Sequence, residues 1–314
     1  MGGYLLRRAL GIPPLLFGAS VVIFLLLRFS PGDPAEVILA QHGDYAVDRE
    51  TVAQLRQAWG LDLTLPTQYG RWLGQVARGD FGRSFATNRP VSDLLLERLP
   101  ATLLLTVGAL LVGLIVATPF GILSAVRAGG ALDGACRLVA LAGVSMPGFW
   151  LSLLLVWTFS IRLGWLPAIG GGTARHLILP TIALAAGVAA TQTRLIRASL
   201  LEVLGQPYVD VARAKGLSER LVIVRHSLRN ALIPAVTALA LSVGGLLGGA
   251  AVIETVFSYP GLGKLAVDSI GSRDYPVIQA YVLLMTVVFV VSSLLVDAAY
   301  SLLDPRIRLG AGTQ

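Results

Sequence analysis

The sequence predicts an all-α integral membrane protein with six transmembrane helices and an extracytoplasmic segment after the first of them. Three observations lead there. Of the 314 residues, 55% are hydrophobic and 14% are charged, whereas a soluble domain carries about 25% charged residues. The charges cluster, leaving six stretches free of Asp, Glu, Lys and Arg: 9–27, 99–126, 138–161, 176–193, 230–253 and 275–296. Each approaches or exceeds the roughly 17–25 residues that a helix needs to cross a bilayer core. Finally, the basic residues divide unequally. Six spans put both termini on one side, which holds Arg7, Arg8, Arg127, Arg137, seven basic residues between Arg194 and Arg229, Arg306 and Arg308. The short loops opposite hold Arg162, Arg175, Lys264 and Arg273. By the positive-inside rule both termini lie in the cytoplasm; the long segment after the first span is exempt, because long loops translocate largely regardless of charge.

Residues 1–30 form the cytoplasmic N-terminus and the first span. Arg7 and Arg8 precede it as in a secretory signal, but "RFSPGDPAE" follows in place of a small-residue cleavage site, so the span is retained. Residues 31–94 form the polar extracytoplasmic segment. Within it "DRETVAQLRQAWG" reads as a short helix, with Asp48 as cap, Val52, Leu55 and Trp59 on one face, and Gly60 as the stop. "VSDLLLERLP" sets Leu95 and Leu99 on one face, as in a helix lying in the membrane interface, with Pro100 opening the second span. Residues 95–304 make the core, with spans near 101–125, 136–161, 177–197, 232–254 and 277–300 and a cytoplasmic loop at 198–231. Residues 305–314 are a cytoplasmic tail.

Two spans carry features beyond hydrophobicity. The third contains "SMPGFW", and a proline inside an apolar run removes a backbone hydrogen bond that protein or water must replace. The fifth is rich in Gly and Ala, which let helices approach closely in a bundle interior or at a subunit interface. Ser145, Pro147, Gly148, Gly244, Gly245 and Gly248 are therefore candidates to border a translocation path. Glu254 and Asp297 lie near helix ends, where they can snorkel or pair, and no mid-membrane carboxylate marks a proton- or sodium-driven carrier. A secondary transporter should also show repeated halves with matching broken helices, which are not visible here.

An intramembrane enzyme finds no support either. The histidines are His42, His176 and His226, no HExxH occurs, and Cys136 is the only cysteine, which excludes an intrachain disulfide and a cysteine metal cluster. The net charge of +7 is topological bias and does not require nucleic acid. "GLGKL" at 261–265 lacks the spacer and the Ser or Thr of a phosphate loop. The chain is expected to have no ATPase activity, catalytic residues, metal or cofactor of its own.

The stretch "PYVDVARAKGLSERLVIVRHSLRNALIP", residues 207–234, stands apart. Pro207 suits the first position of a helix and Gly216 the position just past its end. Ser218 caps a second helix, with Glu219 in its first turn. That helix carries Leu221, Val224 and Leu228 at apolar spacing, with Arg220, Arg225 and Arg229 elsewhere. Val211, Ala212 and Ala214 keep the first helix slim enough to enter a groove. Attraction to anionic head groups accounts for the arginines, but not for two capped helices joined by a glycine bend. The loop reads as a docking element.

"DVARAKG" followed by "HSLRNALIP" resembles the cytoplasmic EAA loop in the permease subunits of bacterial ABC importers. Asp210 stands where Glu is usual, Val211 replaces the first Ala, and Ala212, Gly216 and Leu228 match. His226 takes the Ile position, and Arg229 replaces a proline that arrives only at Pro234. "LLRFSPGDPAE", "RGDFGRSF", "ETVFSYPGLGKL", "SRDYPVIQA" and "LLDPRIR" resemble landmarks of the dipeptide, oligopeptide and nickel permeases, first-subunit (B) type, across essentially the whole chain. The resemblance implies the type I importer fold in a bacterial inner membrane. Its implied partners are a second homologous permease, two ATPase subunits holding ATP and Mg, and an extracytoplasmic substrate-binding protein. It also implies that Tyr208, Asp210, Ala212, Arg213, Ala214, Lys215, Gly216, Leu217 and His226 couple to the ATPase. The cargo is expected to be dipeptides or oligopeptides, with nickel, glutathione or cell-wall peptides as alternatives.

Overall fold

The computed structural model describes residues 11–29, 33, 35–36, 39 and 49–303, with side chains to residue 294. Arg7, Arg8, His42, Asp48, the side chain of Asp297 and the "DPRIR" tail lie outside these. All the regular structure described is helical, apart from one isolated bridge between Arg83 and Pro90. The chain divides into two compact units, residues 1–101 with 260–291 and residues 102–259 with 292–314.

In the first unit, α1 (Ile12–Arg28) is an apolar helix of 17 residues. The predicted helix after it is α2 (Arg49–Ala58). Gly60, at φ 67°, closes it. The Gly60 N–H binds the Gln57 carbonyl at 3.1 Å and the Leu61 N–H binds that of Arg56 at 2.8 Å, the paired bonds of a Schellman end. Helix α3 (Leu65–Val76) packs on α1 through aromatic rings, with Phe24 5.2 Å from Tyr69 and 6.0 Å from Trp72. The loop 80–90 is tied to the end of α10 (Leu262–Gly271) and the start of α11 (Tyr275–Leu303) by Asp274. This buried carboxylate accepts from the Ser84 hydroxyl and from the N–H groups of Phe85 at 3.0 Å and Ala86 at 3.4 Å. Val91, Leu94 and Leu95 pack on Leu262, Val277 and Ala280 below it.

Helix α4 runs from Val91 to Val126 without interruption. Pro100 therefore does not open a new helix. Val91, Leu94 and Leu95 are buried in its first turns, and 36 residues correspond to about 54 Å of helix at 1.5 Å per residue.

In the second unit, the third apolar run is not one rod. Helix α5 (Ala131–Ser145) and the segment Gly148–Arg162 are bent by 104°. Met146 is extended, with ψ 122°, because the residue before a proline is pushed out of the α region. Helix α6 (Gly148–Leu155) then starts beyond Pro147 and widens into π turns at Val156–Arg162. Helix α7 (Ala174–Leu204) overruns its predicted end, so the loop expected at 198 begins only at Gly205. Helix α8 (Pro207–Ala214) is the short one. The rest of the loop and the fifth span form one helix, α9 (Glu219–Val256), with π turns at Val222–Ser227.

Among the described residues four helices (α4, α7, α9 and α11) are long and apolar enough to cross a bilayer, five with the bent pair as one span, and α1 is a shorter apolar helix.

The fifth run was expected to use its glycines for close packing in the bundle interior or at a subunit interface, and only the first of these concerns contacts within the chain. Nothing lies within 4 Å of a Cβ placed at Gly245 or Gly248. The close approaches occur elsewhere: a Cβ at Gly113 would lie 2.7 Å from Val188, and one at Gly121 would lie 2.8 Å from Ile196 and 3.1 Å from the Thr193 carbonyl. Helices α4 and α7 meet backbone to side chain there, so overpacking would cost about 1–3 kcal/mol. Gly121→Leu is expected to lower the thermal unfolding temperature of the detergent-purified protein, and trimming the opposing side chain with Ile196→Ala should recover part of the loss.

Candidate functional site

The loop folds as a self-contained bracket. Pro207 sits at the start of α8 and Lys215 at its end, with Gly216 beyond at φ 78°. The Gly216 N–H binds the Arg213 carbonyl at 2.9 Å and the Leu217 N–H that of Ala212 at 3.4 Å. This is again the Schellman pattern, which requires the left-handed conformation that glycine adopts without penalty. Ser218 holds the cap position of α9 through its backbone, not its hydroxyl. Arg213 spans the bend, reaching Glu219 at 2.8 Å and 3.1 Å and Asp210 at 3.3 Å. The hydrogen bonds that Arg213 donates to Glu219, with the charges of Glu219 and Asp210, raise the Arg213 pKa above its ordinary value.

The bracket has an inner and an outer face. Val209 and Ala212 are buried against Val222, with Leu204 and Leu217 around them. Ala212 therefore holds the helix in place and is not part of its free side. Tyr208, Asp210, Val211, Arg213, Ala214 and Lys215 are exposed, and the Tyr208 hydroxyl is held by Asn230 Nδ2 at 3.0 Å. His226 is half-buried in the π turns. The apolar face expected at Leu221, Val224 and Leu228 is displaced. The structure buries Val222, Ile223, Ser227 and Ala231, and leaves Leu221 and Val224 exposed. A π turn advances i→i+5, so Val222 and Ser227 fall on one face where an α-helix would separate them.

A cavity of about 630 Å³ opens among α5, α6, α7 and α9. Of the six candidate path residues, Gly148 and Gly245 line it, and Ser145, Pro147, Gly244 and Gly248 do not. Its remaining wall includes Met146, Gly187, Thr191, Gln192 and Ser242. The contribution of α7 was not legible in the sequence because it comes from Gly187, Thr191 and Gln192, inside a continuous helix and away from its proline, Pro180. Gln192 is the buried polar group there. With its amide turned to satisfy both partners, it donates to the Ala235 carbonyl at 3.1 Å and accepts from the Leu239 N–H at 3.2 Å.

Two buried acids complete the second unit. Asp133 takes both arms of Arg197 at 2.7 Å, the Ser124 hydroxyl at 2.6 Å and the Gly129 N–H at 2.9 Å. It thus clips the ends of α4, α5 and α7 together. Glu254 is fully buried and accepts from the Thr102 hydroxyl at 2.6 Å, so it is not at a water interface as its place near the end of a run suggested. Among the described residues no cluster of His, Cys, Asp and Glu could hold a metal.

The family described as binding-protein-dependent transport system inner membrane component matches residues 117–309, and its N-terminal companion matches residues 1–106. The chain belongs to this family. It is the permease of an ABC importer. Among permeases, it is 43% identical over 308 residues to the glutathione transport system permease protein GsiC of Escherichia coli K12, covering 98% of this chain and 99% of the relative. The Shigella flexneri 5b protein of the same name is 42% identical over the same length. A solved structure of the MetNI methionine ABC transporter in inward-facing conformations shares the fold with TM-score 0.57 at 21% identity, covering 67% of this chain and 96% of that one. An amino acid ABC transporter follows at TM-score 0.52 and 18% identity, over 68% and 94% of the two chains.

In this permease Gly216→Val forces a branched side chain into the left-handed region at about 1–3 kcal/mol. No neighbour obstructs the new Cβ, so the cost is confined to the bend. The variant is expected to insert normally while ATP-driven uptake in proteoliposomes falls at least tenfold, and Gly216→Asn, which tolerates that region, should retain most of it.

Proposed function

We propose that the permease imports short peptides, glutathione among them, through the cavity between α5, α6, α7 and α9. Its coupling element is the bracket at 207–217, seated in a cleft of an ATPase subunit. A second homologous permease completes the path, two ATPase subunits hold ATP and Mg, and an extracytoplasmic binding protein delivers cargo. The chain crosses the bacterial inner membrane six times, with α1 and the bent pair counted as spans. Both termini face the cytoplasm and residues 31–94 lie outside. It binds no cofactor itself.

One observation carries this reading: α8 is fixed from behind by Val209 and Ala212 while Tyr208 and Val211 remain exposed. An aromatic and a branched apolar side chain on the outer face of a short, rigidly capped helix suit a protein groove. Peptide cargo is favoured by the close relation to glutathione permeases, glutathione being a tripeptide, and by the mixed lining of the cavity, mostly small and apolar with Thr191, Gln192 and Ser242 as hydrogen-bonding groups.

The test is to tag the permease, extract it gently from its own membrane and identify by mass spectrometry what accompanies it. A second permease, ATPases and a binding protein loaded with peptide are expected; recovery of the chain alone would refute the assembly. Asp210→Arg removes the only acid between residues 207 and 216 and should weaken recovery of the ATPase. Gly245→Phe should block uptake by filling the cavity while leaving the ATPase bound, which separates path from handle.

A further inference from the structure

The first unit holds a second recess, about 760 Å³, with no role in the mechanism above. Its walls come from α1, α2, α3, the loop 82–88 and the start of α11. Aromatic rings shape it: Trp59 stacks on Phe85 with ring centres 3.9 Å apart and planes 6° from parallel, and Trp72 and Tyr275 complete the walls. Its polar groups are unevenly matched. Arg28, Arg71 and Arg83 line it, and none of its described walls carries Asp or Glu.

Arg28 is the group that asks for a partner. Its guanidinium lies 5.4 Å from the Phe24 ring and 5.9 Å from that of Tyr275. Its Nε is buried with no hydrogen-bond acceptor. A cation against aromatic faces is partly stabilised, but its N–H groups remain unspent, and a carboxylate is the anion whose two oxygens match that planar fork. Opposite in kind is Gln68, only 8% exposed. Its amide nitrogen donates to the carbonyls of Leu61 at 3.0 Å and Leu63 at 2.7 Å, which identifies the other atom as oxygen, and that oxygen is buried without a donor. One recess thus offers an unpaired cationic donor and an unpaired acceptor between aromatic walls.

We propose that this recess binds the free C-terminal carboxylate of a short peptide on Arg28, with Gln68 Oε1 taking an N–H of the same ligand. It is a site apart from the cavity of the second unit, and it rests on the reading of the chain as a peptide permease. Aromatic walls and amides make it tolerant of side chains, so recognition falls on the carboxylate common to every unmodified peptide.

The test uses the full permease and ATPase complex in nanodiscs without its binding protein, and reads radiolabelled trialanine by scintillation proximity. Saturable binding is expected, with trialanine amide competing at least tenfold more weakly than trialanine acid. Arg28→Gln should abolish it, Arg28→Lys should keep the preference for acid over amide, and Gly245→Phe should leave it unchanged. Equal competition by the amide, retention in Arg28→Gln, loss of the acid preference in Arg28→Lys or loss in Gly245→Phe each overturns the site. Acetate competing as well as trialanine would reduce it to an anion hole and also overturn the peptide assignment. A complex that imports trialanine without this binding refutes the recess alone. One that shows the binding but imports no peptide supports the recess and refutes the transport reading.

Discussion

Inside a bilayer every backbone N–H and C=O must find its partner within the protein, and the architecture of this permease follows from how it treats its prolines. Each proline in a membrane helix removes one donor from the ladder. Pro100, Pro119, Pro180 and Pro234 remain within continuous helices. Among the described residues it is at Pro147 that an apolar run gives up the helix, turning through 104° between α5 and the next segment. Irregular backbone at membrane depth is tolerated where it lines a cavity, and Met146 and Gly148, on either side of that proline, line the 630 Å³ space. Pro234 is treated differently. Just beyond it, the Gln192 side chain bridges the Ala235 carbonyl and the Leu239 N–H, a single rung of the α9 ladder. The break and the bridge border the same cavity from two sides.

Much of this was legible in the sequence because it depends on residues with narrow conformational options. Charge-free runs announced the apolar helices, Pro207 and Gly216 bounded the short helix, and Gly60 ended α2. What was not legible depends on partners distant in sequence. Pro100 looked like a helix start, yet α4 is continuous through it, with Val91, Leu94 and Leu95 of its first turns packed on Leu262 and Val277. The buried face of the loop helix shifted because π turns changed the repeat at Val222–Ser227, and no single residue there signals that change. Asp133 and Arg197 are separated by 64 positions, so neither their pairing nor its role in clipping three helices could be read locally. Gly113 and Gly121 were passed over in favour of the denser glycines of the fifth run, although close approach requires a glycine opposite a bulky side chain rather than a cluster of them.

The connection from bracket to cavity is a matter of stiffness. Helix α7 lines the cavity at Gly187, Thr191 and Gln192, then runs unbroken to Leu204, where it supports α8. Helix α9 begins at Glu219, carries Val222 against the back of α8, and reaches Ser242 and Gly245 in the cavity wall as the same helix. Between those points α7 and α9 are locked by Ile196 on Ala235 and by Leu200 with Ala231. Apart from the π turns at Val222–Ser227, continuous helix joins the bracket to the residues that face the cavity. From Val222 to Gly245 is 23 residues, about 35 Å of helix at 1.5 Å per residue, and a packed helix pair transmits a displacement over that distance because its side chains cannot be compressed. Two places along α9 depart from the regular ladder: the π segment at Val222–Ser227, directly beside the bracket, and Pro234, beyond which Gln192 braces the helix. Under the proposed coupling role, a push on α8 meets the π turns first and the packed helix pair after them. This favours rotation of α7 and α9 as one body about the bracket end, with the largest movement at the cavity, over bending spread along the two helices.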